Sequence, residues 1–401
     1  MTQAGGGRIV IVVQHLPVPL DRRIWSEARS LARHGHRVSV VCTMAPGDPA
    51  YEERDGVHLY KFAPAPMTAG ALSFVFEFVY CWVRVATRVL RLYRREGIDV
   101  LQACNPPDTY FALAAPLKLL GVRFVWDQRD LCPEMYQARF KRDRGPLLWG
   151  LRLLERLSYR VADEVVVPND SYRAVALSRG GKAPAAVTVV RGAPETDELR
   201  PIGADPRLRR GRAHLCCFLG VMGPQDHVDV ALRAVRHYVH DLGRDDCHFA
   251  FLGFGDSLAD LRLLATELGL DDVVTFTGMA QVDSVRAYLS TAALGVVPDQ
   301  RTPYSDQSTL TKVMEYMAFG LPVVAFDLRE SRVSAQDAAV FVASGDVAGF
   351  AEAMAELLDD PDRRERMGSA GRARVAAELS WPHQEPAYVA VHERLLALAS
   401  R

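Results

Sequence analysis

Short apolar, β-branched runs alternate with stretches of helical period through the first half of the chain. The runs at Arg8–Val13, Arg37–Cys42, Val57–Phe62, Val100–Ala103, Arg123–Trp126, Glu164–Val167 and Val187–Val190 predict strands. Between them, Arg23–Arg33, Asp108–Leu120 and Leu147–Arg160 carry apolar residues at helical spacing. Such alternation predicts a parallel sheet covered on both faces. The segment RGAPETDELRPIGADPRLRRGR, Arg191–Arg212, is rich in Pro, Gly and charge and reads as a linker. Beyond it the alternation restarts, with strands at His214–Gly220, His248–Gly253, Val273–Phe276, Leu294–Pro298 and Pro322–Phe326. The helices between them are Val228–His240, Ser257–Leu268, Val282–Leu289 and Thr311–Phe319, and a helical tail is expected through Arg401. The expected organisation is an N-terminal domain over 1–195, a linker over 196–212 and a C-terminal domain over 213–381. The last helix, 382–401, would cross back onto the first domain. Two doubly wound α/β domains in series would place a ligand in a cleft outside the carboxyl ends of both sheets.

Length agrees, since 401 residues exceed one ordinary core and suit two domains. With 49% hydrophobic and 24% charged residues, the composition is globular. Seven cysteines without CxxC spacing predict reduced, mostly buried thiols. The start, MTQAGGGRIVIVV, runs directly into a strand with no basic n-region, so a cytoplasmic protein without a signal peptide is expected. The net charge of −1 conceals about +8 through Glu195 and −9 beyond it. Either the halves meet different partners or they attract one another. No feature points to nucleic acid. The stretch ALSFVFEFVYCWV (Ala71–Val83), interrupted by Glu77, is too short to span a bilayer. Arg84, Arg88, Arg91 and Arg95 follow it on one helical face. Residues 71–95 therefore form either a peripheral contact with an anionic inner-membrane surface or a packed helix with a solvated basic edge.

Candidate chemistry concentrates in DQSTLTKVMEYMAFGLPVVAF, Asp306–Phe326. A polar loop precedes a helix starting near Leu310 or Thr311, which Gly320–Pro322 stops. Backbone N–H groups at a helix start, with Lys312 in the first turn, form an anion site. Glu315 lies four residues after Thr311 on the same side, where its carboxylate can accept both hydroxyls of a ribose.

This segment resembles the donor-site signature of the retaining GT-B glycosyltransferases of family GT4, in the branch with a K-x-x-E-Y-M-A-x-G-x-P-V-V pattern. Further matches are HLPVPLDRRIWSEARSLARHGHRVSVVC, FVWDQRDLCPEMY and FLGFGDSLADLRLLATELGLDDVVTFTGMAQVDSVRAYLSTAALGVVPD, so the resemblance covers nearly the whole chain. It implies a GT-B fold of two Rossmann-like domains. The implied activity moves a sugar from a nucleoside-diphosphate sugar, UDP- or GDP-linked, to a glycan, lipid-linked glycan or small natural product, with retention and without metal or other cofactor. By the resemblance, Glu315 would hold the ribose and Ser308, Thr309, Leu310 and Thr311 the diphosphate. Gln307, in the place of the first Glu of E-x7-E, would touch sugar hydroxyls. Gly278 and Met279 would lie along the base, with Met279 alternatively a core residue, and Gly223 would join the donor loop. Lys312, Arg129 and Asp130 are the expected catalytic residues. His15, Asp21, Arg22, Asn105, Asp108 and Glu134 are the acceptor-side candidates. For Asp21 the alternative is a helix cap, and for Glu134 a dipole partner in DLCPE.

Three departures from the family pattern stand out. Where relatives carry G-R-x-x-x-x-K-G this chain has Gly220–His227 (GVMGPQDH), without the Arg or the Lys. The His of HD-x-x-P-E is Arg129, which cannot shuttle a proton but can bind a phosphate or carboxylate. The first Glu of E-x7-E is the uncharged Gln307. These leave two rivals to transfer: a nucleotide-sugar epimerase or hydrolase, and a non-catalytic GT-B partner. HExxH, GxxxxGK[ST] and G-x-S-x-G are all absent from the sequence. The acidic knot Asp359, Asp360 and Asp362 reads as a solvated loop.

Overall fold

The computed structural model describes residues 6–14, 16–65, 71–194 and 200–399. The chain forms two compact units, one of residues up to Tyr136, Arg142–Arg191 and Gln384 onward, the other of Gln137–Lys141 and Gly192–His383.

In the first unit the order is β1 (Arg8–Val12), α1 (Arg22–Arg33), β2 (Arg37–Thr43), β3 (Tyr51–Arg54), β4 (Val57–Phe62), α2 (Ala71–Glu96) and β5 (Val100–Cys104). There follow α3 (Phe111–Lys118), β6 (Arg123–Asp127), α4 (Cys132–Phe140), α5 (Pro146–Val161), β7 (Glu164–Val167), α6 (Asp170–Ser178) and β8 (Val187–Val189). The strands form one sheet in the order β3-β4-β2-β1-β5-β6-β7-β8. Every pair is parallel except β3 with β4, a hairpin turned by Asp55 and Gly56, both at positive φ. That hairpin was not expected: Glu52, Glu53 and Arg54 hide the apolar period of an edge strand, where charge is tolerated.

In the second unit come β9 (His214–Leu219), α7 (Val228–Arg236), β10 (Cys247–Leu252), α8 (Leu258–Glu267), β11 (Val274–Gly278), α9 (Val282–Thr291) and β12 (Leu294–Val297). Then follow α10 (Thr311–Ala318), β13 (Val323–Phe326), α11 (Arg329–Ala335), β14 (Ala339–Val342), α12 (Val347–Asp359) and α13 (Pro361–Arg374). These strands make an all-parallel sheet ordered β11-β10-β9-β12-β13-β14. The expected helical tail is corrected here, because β14 interrupts it: a four-residue strand between helices is too short to break a helical period. Two parallel sheets with helix connections are the doubly wound class expected from the alternation.

Apolar burial follows the period of each element. On one face of the first sheet, Val10, Val12, Leu101, Ala103, Phe124, Trp126, Val165 and Val167 pack with Cys81, Val85, Val89 and Leu92 of α2. Leu113 and Leu117 of α3 and Tyr159 of α5 complete that cluster. All seven cysteines are free, and only Cys132 is not fully buried. Asp359 pairs with Arg244 and Asp360 caps α13, so the acidic knot is spent on ordinary contacts. Among the described residues no helix is long and apolar enough to cross a membrane.

The final helix, α14 (Trp381–Ala399), reaches the first sheet through polar side chains. Tyr388 donates its hydroxyl to Gln102 Oε1 at 2.8 Å, and His392 Nε2 lies 2.9 Å from the same oxygen. Gln102 Nε2 in turn donates to Glu27 of α1 at 2.9 Å. Burial pushes the His392 imidazole down to about 4, so the ring is neutral in the fold. Below the ordinary value of 6.5 the unfolded chain binds a proton that the folded chain refuses. Stability is thus lost as pH falls from 6.5 toward 4, by about 3 kcal/mol at roughly 1.4 kcal/mol per pH unit. We expect His392→Gln to flatten this fall. Urea unfolding at intervals between pH 7 and 4 checks it, and identical slopes for the two proteins would refute the assignment.

Candidate functional site

Strands β9, β10 and β12 end side by side, because β9 pairs with both of the others. The loops that follow touch backbone to backbone. A Cβ on Gly253 would lie 1.8 Å from the Gly220 carbonyl oxygen, and one on Gly255 2.6 Å from that of Met222, so only glycine fits either position. Gly253 N also donates to Gly278 O at 3.1 Å, tying in the end of β11. The Gly253–Gly255 pair is therefore a packing requirement of the loop floor.

Lys312 projects against this floor from the first turn of α10. Its Nζ donates to Asp299 Oδ2 at 3.0 Å and lies 4.8 Å from the centre of the Phe218 ring. A Cβ on Gly220 would stand 3.4 Å from Lys312 Cε. Both partners are nearly buried, with side chains 10% and 4% exposed, which strengthens their attraction and costs desolvation. Asp299 and Phe218 were not anticipated; the sequence shows only a Pro-Asp after a buried strand and one more apolar residue in β9.

The loop before α10 is held largely by its own bonds. Ser305 and Thr302 exchange hydrogen bonds at 2.9 and 3.0 Å, Ser308 Oγ donates to Tyr304 O at 2.8 Å, and Asp306 Oδ1 accepts from Arg329 N at 2.9 Å. Gln307 Nε2 donates to Pro303 O at 2.7 Å. Ser308 is buried, Thr309 and Leu310 are half-buried and Thr311 is exposed. No side chain caps α10 at Leu310, which leaves its first turn to other acceptors. Glu315 stands one turn further in, half-buried. An open pocket of 420 Å³ borders this loop, lined by Arg301, Thr302, Pro303, Asp306, Gln307 and Arg329. Gly223 N donates to Asp226 Oδ2 at 2.9 Å in the loop after β9. Met279 is 55% exposed, which corrects the core reading of that residue.

In the first unit the expected residues gather at the carboxyl ends of β5 and β6 and at the start of α1. Asp21 caps α1 by accepting from Ile24 N at 3.1 Å, and its other oxygen accepts from Arg129 at 2.6 Å. Arg23 bridges Glu27 and Asp127, each at 2.9 Å. Burial works against the charge of Arg129, but Asp21 and Asp127 more than offset it and hold the guanidinium charged. Asn105 Oδ1 accepts the backbone N–H groups of Arg129 and Asp130 at 2.6 and 3.0 Å, and its amide donates to Asp108 at 2.8 Å. Burial pushes Asp108 up to about 7, with Asn105 opposing and Glu155 adding to the rise. Glu134 forms a two-point pair with Arg179, at 2.5 and 3.1 Å, and Arg179 also binds Glu155 at 2.7 Å. Arg22 lies beside Asp21, half-buried. His15 lies outside the described residues. The Arg23–Glu27–Asp127–Gln102 network was missed by sequence reading; its one signal was an i,i+4 Arg–Glu pair on the apolar side of α1. Among the described residues no group of three or more His, Cys, Asp or Glu side chains could hold a metal ion.

Comparison with known proteins agrees with this fold. Residues 213–360 match the family model described as Glycosyl transferases group 1, and residues 20–193 match the Glycosyl transferase 4-like domain. The 2-deoxystreptamine glucosyltransferase of Streptomyces kanamyceticus is 26% identical over 388 residues, 92% of this chain and 97% of that protein. Among solved structures, the sucrose-phosphate synthase of Thermosynechococcus elongatus aligns with a TM-score of 0.80 at 17% identity, over 98% of this chain and 100% of that one. Anabaena HepE in complex with UDP and glucose aligns at 0.72 and 15% identity, over 98% and 99% of the two chains.

The Arg129 contact generates a stability prediction. Arg129→Ala leaves the Asp21 carboxylate, 2% exposed, without its cation, and should destabilise the protein by about 3 kcal/mol or more. A double-mutant cycle with Asp21→Asn, read by urea unfolding, measures the coupling; additive losses would show the pair to be uncoupled.

Proposed function

Because the chain belongs to the GT4-type glycosyltransferases of GT-B fold, we propose that it moves a sugar from a nucleoside-diphosphate sugar to an acceptor with retention at the anomeric carbon. The observation that carries the donor reading is Lys312, fixed by Asp299 beside Gly220 at the uncapped start of α10. An anion at that helix start would meet backbone N–H groups, the helix dipole and an ammonium already oriented. In this reading Glu315, one turn on, would accept the ribose hydroxyls, and Gln307 of the loop before α10 would touch the sugar. Uridine diphosphate is the first base to test, since HepE is described with UDP and glucose.

In this reading the leaving diphosphate takes the acceptor proton on the face it departs from, and no enzymatic nucleophile is needed. The protein's part is to stabilise the charge that develops on the phosphate and to orient the acceptor. With Val221 and Asp226 in place of the family's Arg and Lys, that stabilisation falls to Lys312 and the α10 start. The first unit would supply the acceptor contacts from Asp21, Arg22, Asp108, Asp130 and Glu134. Arg129 and Asn105 would act by positioning, since each is occupied within the unit. The transfer would need no metal.

Calorimetric titration with UDP, GDP, ADP, TDP and CDP tests the site. One diphosphate should bind selectively, and Glu315→Ala should weaken it at least about tenfold, as expected for losing charge-assisted hydrogen bonds. EDTA should leave turnover unchanged. No binding by any diphosphate would sink the donor reading and favour a non-catalytic partner. Turnover of the sugar nucleotide that is indifferent to every added acceptor would favour a hydrolase or epimerase.

A further inference from the structure

Helices α2, α3 and α5 all pack on one face of the first sheet, around a single cluster. Their outer surfaces therefore point away from the same core, and these surfaces are unusually apolar. On α2, Phe76, Val79, Val83 and Leu90 are 51%, 57%, 47% and 38% exposed. At 100° per residue they fall within an arc of about 60°, opposite the buried row Cys81, Val85, Val89 and Leu92. A helix with apolar rows on opposite sides has one row for its own core and one for something else. On α5, Trp149 is 68% and Leu153 39% exposed. They share an arc of about 100° with Arg152, Arg156 and Arg160, all exposed. The end of α3 adds Leu119 and Leu120, 89% and 61% exposed.

Charge decides what this face fits. Arg91, Arg94 and Arg95 at the end of α2 and Arg142, Arg144, Arg152, Arg156 and Arg160 around α5 are exposed. The exposed carboxylates of the same segments are Glu77 and Asp143, while Glu134 and Glu155 are turned inward onto Arg179. A protein partner would need a matching acidic and apolar surface. A second copy would bring arginine against arginine. An anionic bilayer satisfies both features at once: it takes aromatic and aliphatic side chains at the headgroup boundary and cations at the phosphates. Arg84 and Arg88, expected to form a basic stripe, are engaged within the protein instead, Arg84 over Tyr80 and Arg88 on Lys61 O and over Phe62. The basic contribution thus moves from the middle of α2 to its end and to α5.

We propose that the outer face of α2 and α5 docks this protein on an anionic lipid surface, with Trp149 and the Phe76–Val83 row inserted at the interface and Arg152 and Arg156 on lipid phosphates. This goes beyond the glycosyltransferase reading and does not rest on it. Co-sedimentation of the full chain with phosphatidylcholine vesicles, and with equimolar phosphatidylcholine–phosphatidylglycerol vesicles, tests the proposal. Binding is expected to the anionic vesicles and to weaken as salt rises. Arg152→Glu with Arg156→Glu should lower the partition coefficient at least about tenfold. Val79→Glu with Val83→Glu should lower it as well, and the tryptophan emission should shift to the blue on binding in wild type but not in Trp149→Ala. UDP binding and far-ultraviolet circular dichroism of all variants should match wild type, which separates this test from that of the donor site. The idea is overturned if anionic vesicles bind no better than neutral ones, or if the variants bind as wild type does. It is equally overturned if sedimentation equilibrium shows a dimer that Val79→Glu with Val83→Glu dissociates, because the face would then belong to a second copy.

Discussion

Parallel strands joined by helices deliver every strand-to-helix loop to the same edge of a sheet, and the rest of this molecule is arranged around that constraint. In the second unit it sets the loops after β9, β10 and β12 against one another, so closely that Gly253 and Gly255 must lack side chains. In the first unit it sets the loops after β5 and β6 beside the start of α1, where Asn105 fixes two backbone N–H groups of the next loop. A parallel sheet buries both its faces, so polar groups at this edge are only partly reached by water and find partners in one another. The ion pairs Lys312–Asp299 and Arg129–Asp21 follow from that shortage of water.

The two pairs are built from the same parts and do different things with them. Lys312 stands in the first turn of a helix whose N-cap residue, Leu310, gives no side-chain cap, and its ammonium is held by Asp299. Arg129 faces a helix start that is already capped by the very carboxylate it binds. The first arrangement orients an ammonium at a helix start, which is the geometry on which the proposed donor site rests. The second holds a loop in place, and an arginine can do so at any pH that matters because its neighbours keep it charged. Around it, Glu27 and Asp127 are fully buried, and burial, then Asp127, pushes the Glu27 carboxyl above the usual carboxylate range.

The outer surface of the first unit follows a different logic. Its helices satisfy the core with one row of apolar residues and then carry a second row outward on α2. Exposed arginines border that row, while two carboxylates, Glu134 of α4 and Glu155 of α5, are drawn inside onto Arg179. The resulting charge is a property of which acids are buried, and the near-neutral total of the chain conceals it.

Much of this was legible in the residues. Short continuous apolar runs and helical rows of period 3.6 located most strands and many helices, because strands buried on both faces must be apolar throughout and helices must turn one face to the core. Where the period was absent, in the charged edge strand β3 and the four-residue β14, the elements were missed. The Asp306–Phe326 segment stood out as the candidate site because loop, helix start, Lys312, Glu315 and the Gly-Pro stop are contiguous. Tertiary structure alone decided the rest. Phe218 flanks Lys312 from β9, an element remote in sequence, and Asp299 reaches it from the loop after β12; Gln102 meets Tyr388 and His392 across nearly 300 residues, and Arg129 spends its charge on Asp21. Such partners share no local period, so only the packing of strands that are remote in the chain can bring them together.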